Sequence, residues 1–204
     1  GISKLFSEDN SLELIEYLNL SKNDLSDSSS GSICKQLISS NLKTIDLSYN
    51  KLSTTFIKKL VNSIQNSNIQ NINLSHNSFD SECGEALGNL LYYIKSLQNI
   101  NLSSNPLHDE GVCLLSKSLK KTTNQFLKTI DLSDIFIGDF GAIKLSKALR
   151  KSESLERLIL NNNNIGDEGG NAIFNSLHIN NTLLYLGLQS NELTDDSSDS
   201  LSDM

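Results

Sequence analysis

Three sets of residues in this chain are of types that could do chemistry. The first is acidic. The pairs Asp109/Glu110 and Asp167/Glu168 would suit general acid–base work or a bound cation. Asp139-Phe140-Gly141 spells the metal-binding triplet of protein kinases, but neither a glycine-rich loop nor a catalytic loop accompanies it. The second set is the histidines and cysteines. His76, His108 and His178 are too scattered to form a metal site with Cys34, Cys83 or Cys113, and no cysteines stand as C-x-x-C. Three cysteines give no disulfide framework, so a reducing, intracellular setting is expected. The third set, Asn19-Leu20-Ser21, Asn73-Leu74-Ser75 and Asn101-Leu102-Ser103, matches the N-glycosylation signal. No nucleophile–base pair and no phosphate loop is legible, so neither catalysis nor a metal or cofactor is expected.

The acidic and N-x-S signatures recur at one spacing, which explains them better than chemistry does. A nine-residue template, LxxLxLxxN, appears as IEYLNLSKN (15–23), LKTIDLSYN (42–50), IQNINLSHN (69–77) and LQNINLSSN (97–105). It continues as LKTIDLSDI (127–135), LERLILNNN (155–163) and LLYLGLQSN (183–191). Seven matches separated by 27 to 30 residues define a repeat array. The N-x-S signals are by-products of the template. The acidic pairs and the Asp-Phe-Gly triplet fall at one place in it, where a helix starts.

Each period splits into two periodicities. In the template, apolar Ile45 and Leu47 alternate with polar Thr44 and Asp46, which predicts a short half-buried strand. After a turn, apolar residues return at helical spacing: Phe56, Leu60 and Ile64, then Leu87 and Leu91, Leu115 and Leu119, Leu145 and Leu149, Ile173 and Leu177. Acidic and small residues open these helices, where they cap free amides and suit the positive helix end. Such a unit cannot bury its apolar edge alone. Stacking lines up Leu18, Ile45, Ile72, Ile100, Ile130, Leu158 and Leu186 as one ladder, and Leu20 through Leu188 as a second. The Asn at position nine is expected to be buried, because its carboxamide satisfies both a donor and an acceptor where the backbone leaves the sheet.

Charge narrows the partner. Seventeen Lys and Arg against 24 Asp and Glu give a net charge of −7, which argues against nucleic acid or an anionic membrane. No stretch approaches the roughly 18 apolar residues of a membrane span. The first residues lack the form of a secretory signal. Gly1 without an initiator Met is the expectation for a trimmed piece of a longer protein, with residues 1–14 as an N-terminal flank and 15–204 as the repeat domain. The repeats start near 15, 42, 69, 97, 127, 155 and 183, and the last stops inside its helix.

Period, template and helical half together resemble the ribonuclease-inhibitor-like subclass of leucine-rich repeats. NPLHDEGVCLLSKSL (105–119) and NNIGDEGGNAIFNSL (163–177) are similar to the helical half of that subclass. The resemblance covers residues 15–204. It implies an α/β fold, a curved right-handed solenoid of about seven repeats with a parallel sheet on the concave side and helices on the convex side. It also implies a protein-binding scaffold rather than an enzyme, and a monomer is expected. Related arrays occur in ribonuclease inhibitors, NOD-like receptors, Ran GTPase-activating proteins and proteins that bacterial pathogens deliver into host cells. The lysine- and asparagine-biased composition favours the delivered effector. The alternatives are a GTPase-activating protein and the ligand-sensing region of a larger receptor. The Ran activators carry an essential arginine near the N-terminal end of the array, whereas residues 1–149 here contain none. Departures from the family pattern stand out. Ile135 replaces the Asn of repeat five and is followed by Phe136, so the Asn ladder should break there with a local bulge. The first helix, SSSGSICKQL, is Ser-rich, and Phe56 and Cys83 replace a usual small residue.

On the concave side the third, fifth and eighth template positions face solvent in columns about 4.8 Å apart. The middle repeats offer Asn and Ser, while the last two present Arg157, Ile159, Leu184 and Tyr185, types that anchor interfaces. Tyr17 opens the third-position column, and Tyr49 with His76 forms a second cluster where strands leave the sheet. These seven residues are the candidate partner-binding set. For Ile135 and Phe136 packing into the bulge is the favoured expectation, since an apolar pair is usually buried. Phe136 as an exposed loop-edge contact is the alternative.

Overall fold

The computed structural model describes residues 14–37, 41–64, 67–119 and 125–197. The flank expected over 1–14 (Leu14 excepted) and the expected end of the last helix, Leu201 to Met204, lie outside them.

Seven three-residue strands form one parallel sheet in sequence order: β1 (Tyr17–Asn19), β2 (Thr44–Asp46), β3 (Asn71–Asn73), β4 (Asn99–Asn101), β5 (Thr129–Asp131), β6 (Arg157–Ile159) and β7 (Tyr185–Gly187). A parallel neighbour demands a crossover, and a helix supplies it each time. These are α1 (Ser30–Leu37), α2 (Thr54–Ile64), α3 (Gly84–Tyr93), α4 (His108–Leu119), α5 (Asp139–Leu149) and α6 (Asp167–Leu177). Short 3-10 turns at Asp27–Ser29, Ser81–Cys83 and Asp195–Ser197 occupy the helix-start position in three repeats. The coil is the right-handed solenoid that the repeat implies, sheet inside and helices outside.

Register follows the template without slippage: Leu18 pairs with Ile45, Ile45 with Ile72, and so on to Leu158 with Leu186. Both apolar ladders are buried through the middle of the array, and only the end rungs, Leu18, Leu20, Leu186 and Leu188, are partly covered. The Ser-rich first helix forms by burying Ile33, Cys34 and Leu37, so packing overrides its weak propensity. Phe56 and Cys83 are fully buried.

The Asn ladder fills its expected role. Asn105 is 1 % exposed. Its Oδ1 accepts from the Asn77 and Phe79 N–H groups, and its Nδ2 donates to the carbonyls of Leu74, Leu102 and Ser103. Asn163 does the same between repeats five and six. Ile135 has no carboxamide to offer, and the ladder breaks where the sequence says it should. There the Leu107 N–H turns back to the Asn105 carbonyl (2.8 Å), and the His108 N–H reaches the Ile135 carbonyl (2.9 Å).

One sequence expectation is corrected by the helix starts. The acidic residues do not principally cap their own helices. Asp109 Oδ1 accepts from the N–H groups of Gly138 and Gly141, at the start of α5, one repeat later. Asp139 Oδ1 accepts from Gly166 and Gly169, at the start of α6. Asp27 and Asp167 hold the N–H and hydroxyl of Ser53 and Thr194 in the same way. Among the described acids at these helix starts, Asp80 alone reaches an amide of its own turn, that of Glu82. The glycines of repeats five and six are set by this contact, because a Cβ on Gly141 or Gly169 would stand 2.5 or 2.6 Å from the preceding repeat's carboxylate oxygen. The Asp-x-Gly signature is therefore an inter-repeat clasp.

Candidate concave-face interface

The strands present their odd positions to the inner face, which forms a shallow trough from Tyr17 across to Ile159. Along the third-position column the polar side chains bond to one another. Asn71 Nδ2 donates to Thr44 Oγ1 (2.9 Å) and Asn99 Nδ2 to Asn71 Oδ1 (2.6 Å). The fifth position is less free than its polarity suggests. Asp46, Asn73, Asn101 and Asp131 each accept from the N–H of the serine two residues on, an Asx turn that ends the strand. The Asn-x-Ser and Asp-x-Ser triplets thus have a structural cause beyond the template. Where repeats six and seven carry Ile159 and Gly187 instead, Asn161 Oδ1 supplies the missing acceptor to the Gln189 N–H (2.9 Å).

At the C-terminal end of the trough two of the candidate residues, Arg157 and Tyr185, meet. The Arg157 guanidinium lies 4.0 Å from the centroid of the Tyr185 ring, a cation–π stack between adjacent strands. Ile159, two residues after Arg157 on the same strand, is half-buried, and Leu184 is 80 % exposed. Tyr17 lies at the other end, 57 % exposed, its hydroxyl accepting from Asn19 Nδ2 at 3.5 Å. It is far in sequence and in sheet order from Arg157 and belongs to no shared cluster with it.

Tyr49 and His76 form the second cluster. Both occupy the eighth position, where every repeat has the same left-handed backbone, with φ between 52° and 56° from Lys22 to Ser190. Identical backbones hold the side chains parallel, and the two rings stack at 3.9 Å with 13° between planes. The Lys22 ammonium sits 5.3 Å from the Tyr49 centroid. The sequence identified the residues; the shared left-handed turn that aligns them was not legible in it, because only glycine announces positive φ by its type.

Repeat five carries a correction. Ile135 packs, fully buried, but Phe136 is 54 % exposed and stacks on His108, the pair expected to pack together being split. Phe140 on α5 is 53 % exposed with the Lys144 ammonium 4.7 Å from its ring. Its ring belongs to the middle residue of the Asp139-Phe140-Gly141 triplet that opens α5.

Chemically the described residues offer little beyond contact. Burial pushes the Cys83 thiol up to about 11 and raises that of Cys34, so both are poor nucleophiles. All three cysteines are free. Among the described residues no group of three or more His, Cys, Asp or Glu side chains could hold a metal ion, and no helix is long and apolar enough to cross a membrane.

Leucine-rich repeat family models match residues 14–36, 41–63 and 68–90, and residues 93–116 and 151–174, together more than half of the chain. Among curated proteins, the mouse (Mus musculus) NACHT, LRR and PYD domains-containing protein 4C is 31 % identical over 118 residues, which are 57 % of this chain and 12 % of that protein. The mouse ribonuclease inhibitor is 36 % identical over 83 residues, 41 % of this chain and 18 % of that protein. The chain therefore spans a small fraction of the length of the relatives it matches. Among solved structures, the Caenorhabditis elegans tropomodulin C-terminal domain superposes with a TM-score of 0.56 at 18 % identity, covering 73 % of this chain and 91 % of that one, a likeness of fold alone.

Proposed function

The chain belongs to the leucine-rich repeat family, and on that premise we propose that it is a non-catalytic scaffold that holds a protein partner across its concave face. The anchor of the interface is its C-terminal end. The observation that carries this reading is the Arg157–Tyr185 stack, with half-buried Ile159 two residues after Arg157 on the same strand. Arginine and aromatic side chains concentrate binding energy when a partner excludes water from them. Here the stack also fixes the guanidinium before binding, which lowers the ordering cost. The bonded Thr44–Asn71–Asn99 row and the Asx turns make the middle of the trough a flat polar rest with few groups free to grip. Free cysteines support a reducing compartment, and the protein acts there as a monomer.

The test is capture of partner by the Arg157→Ala/Tyr185→Ala double variant, followed by a binding titration with the captured protein. The expected result is at least tenfold weaker binding with an unchanged melting temperature. Undiminished binding by the folded variant overturns the anchor.

A further inference from the structure

Cations gather on one helix of this acidic chain. Lys144, Lys147, Arg150 and Lys151 follow one another along α5 and the turn that ends it, with no acid between them. The neighbouring α6 carries no Lys or Arg. Lys147, Arg150 and Lys151 line a hollow of about 490 Å³ at the end of α5, completed by Ile179 from the turn after α6. All three cations are exposed, and among the described residues none of them forms an ion pair. Ile179 is 56 % exposed. A helix end favours a cation, but the backbone here is already served. The Leu149 and Ser152 carbonyls accept from Asn180 Nδ2 at 2.8 and 3.1 Å. Those of Ser146 and Ala148 accept from the Arg150 and Lys151 N–H groups, both at 3.0 Å. Lys147 also stands three residues before Arg150 and four before Lys151, spacings at which like charges on a helix repel.

We propose that this hollow receives an acidic segment of a protein partner, one apolar side chain seated on Ile179 and flanking carboxylates paired with Lys147, Arg150 and Lys151. Three unpaired cations around one exposed apolar residue, in a chain of net charge −7, set that charge complementarity. Exposed ion pairs contribute little singly, so the occupant needs the apolar contact as well as the carboxylates. The hollow is also short. A long polyanion, such as nucleic acid or an anionic bilayer, would extend beyond it over a surface whose net charge repels it. A short acidic segment meets the cations alone. The site lies at the end of a helix and shares no residue with the Arg157–Tyr185 anchor, so it goes beyond the concave-face reading and gives the scaffold a second docking surface.

The experiment follows a rhodamine-labelled peptide, Glu-Glu-Leu-Glu-Glu, by fluorescence anisotropy as the full chain is added at low salt, where exposed charges are least screened. Saturable binding is expected. Lys147→Gln/Arg150→Gln/Lys151→Gln should weaken it at least tenfold, and Ile179→Ser at least threefold. The same charge removed elsewhere, in Lys35→Gln/Lys58→Gln/Lys117→Gln, should change it less than twofold. Those three lysines are exposed on α1, α2 and α4, so both triple variants keep the fold, which their melting temperatures check. Gln-Gln-Leu-Gln-Gln should not bind, and Glu-Glu-Ala-Glu-Glu should bind the parent at least threefold more weakly. Equal losses in the two triple variants would reduce the effect to net charge and overturn the site. Absence of binding by the parent, or undiminished binding by Ile179→Ser, overturns it as well. Poly-dT or phosphatidylserine-containing vesicles that bind through the same three cations, while the peptide does not, would replace a protein segment with another class of partner and overturn the proposal.

Discussion

The rings of His108 and Phe136 stack at 5.5 Å with 26° between planes, and both residues have positive φ, 52° and 61°. Among the described residues they are the two left-handed ones outside the eighth-position series, and they sit at the break in the Asn ladder. The causes connect. Ile135 withdraws the acceptor that would hold the loop of repeat four, and the Leu107 and His108 amides find other carbonyls, the second of them that of Ile135 itself. The turn leaves Phe136 in solvent against the ring beside it.

A bulky aromatic in the left-handed region costs roughly 1–3 kcal/mol, and an exposed ring recovers little of that by burial. Phe136→Gly should therefore leave stability unchanged or raise it by up to about 1 kcal/mol in urea denaturation, the relief of strain offset by the greater freedom of the unfolded chain. A fall larger than about 1 kcal/mol would mean that the ring is a packing element after all.

The inter-repeat clasp makes a coupled prediction. Asp139→Ala removes the acceptor of two amides at the start of α6 and should cost about 1–2 kcal/mol, the range of a lost helix cap. Gly169→Ala ought to help a helix by its propensity, but here its Cβ meets Asp139 Oδ1 at 2.6 Å and Ala142 Cβ at 2.9 Å, so destabilisation is expected. The double variant should lose less than the sum of the two, because one clash disappears with the carboxylate. Additive losses in a double-mutant cycle would show that the contact does not set the glycine.

The clasp also makes the first repeats acid-sensitive. Burial raises the Asp27 carboxyl, but the Ser53 hydroxyl and N–H, helped by Thr55 and Phe56, outweigh it and hold the group below its ordinary 3.8. A depressed carboxyl stabilises the fold above the unfolded value, so this contribution is complete above about pH 4 and fades as pH falls through the folded value. The melting temperature of Asp27→Asn should therefore lie below that of the parent at pH 6, with the gap closing toward pH 3. A gap that does not change with pH would remove the charge from the account.

The sequence alone determined the period, the strand and helix of each repeat, the two apolar ladders, the buried Asn and the break at Ile135. Each of these depends on the type of a residue and on its distance from its copies, and seven copies of LxxLxLxxN average out local ambiguity. The tertiary structure decided which backbone each acid would serve and which rings would meet. Asp109 and Asp139 look like local caps in one dimension, but the solenoid brings the next helix start, 27 to 32 residues on, within hydrogen-bond reach of their carboxylates. Tyr49 and His76 stack, and Phe136 stays out, because of left-handed φ values that no residue type there declares. Such contacts arise from how neighbouring coils are juxtaposed, and that juxtaposition exists only once the chain has wound.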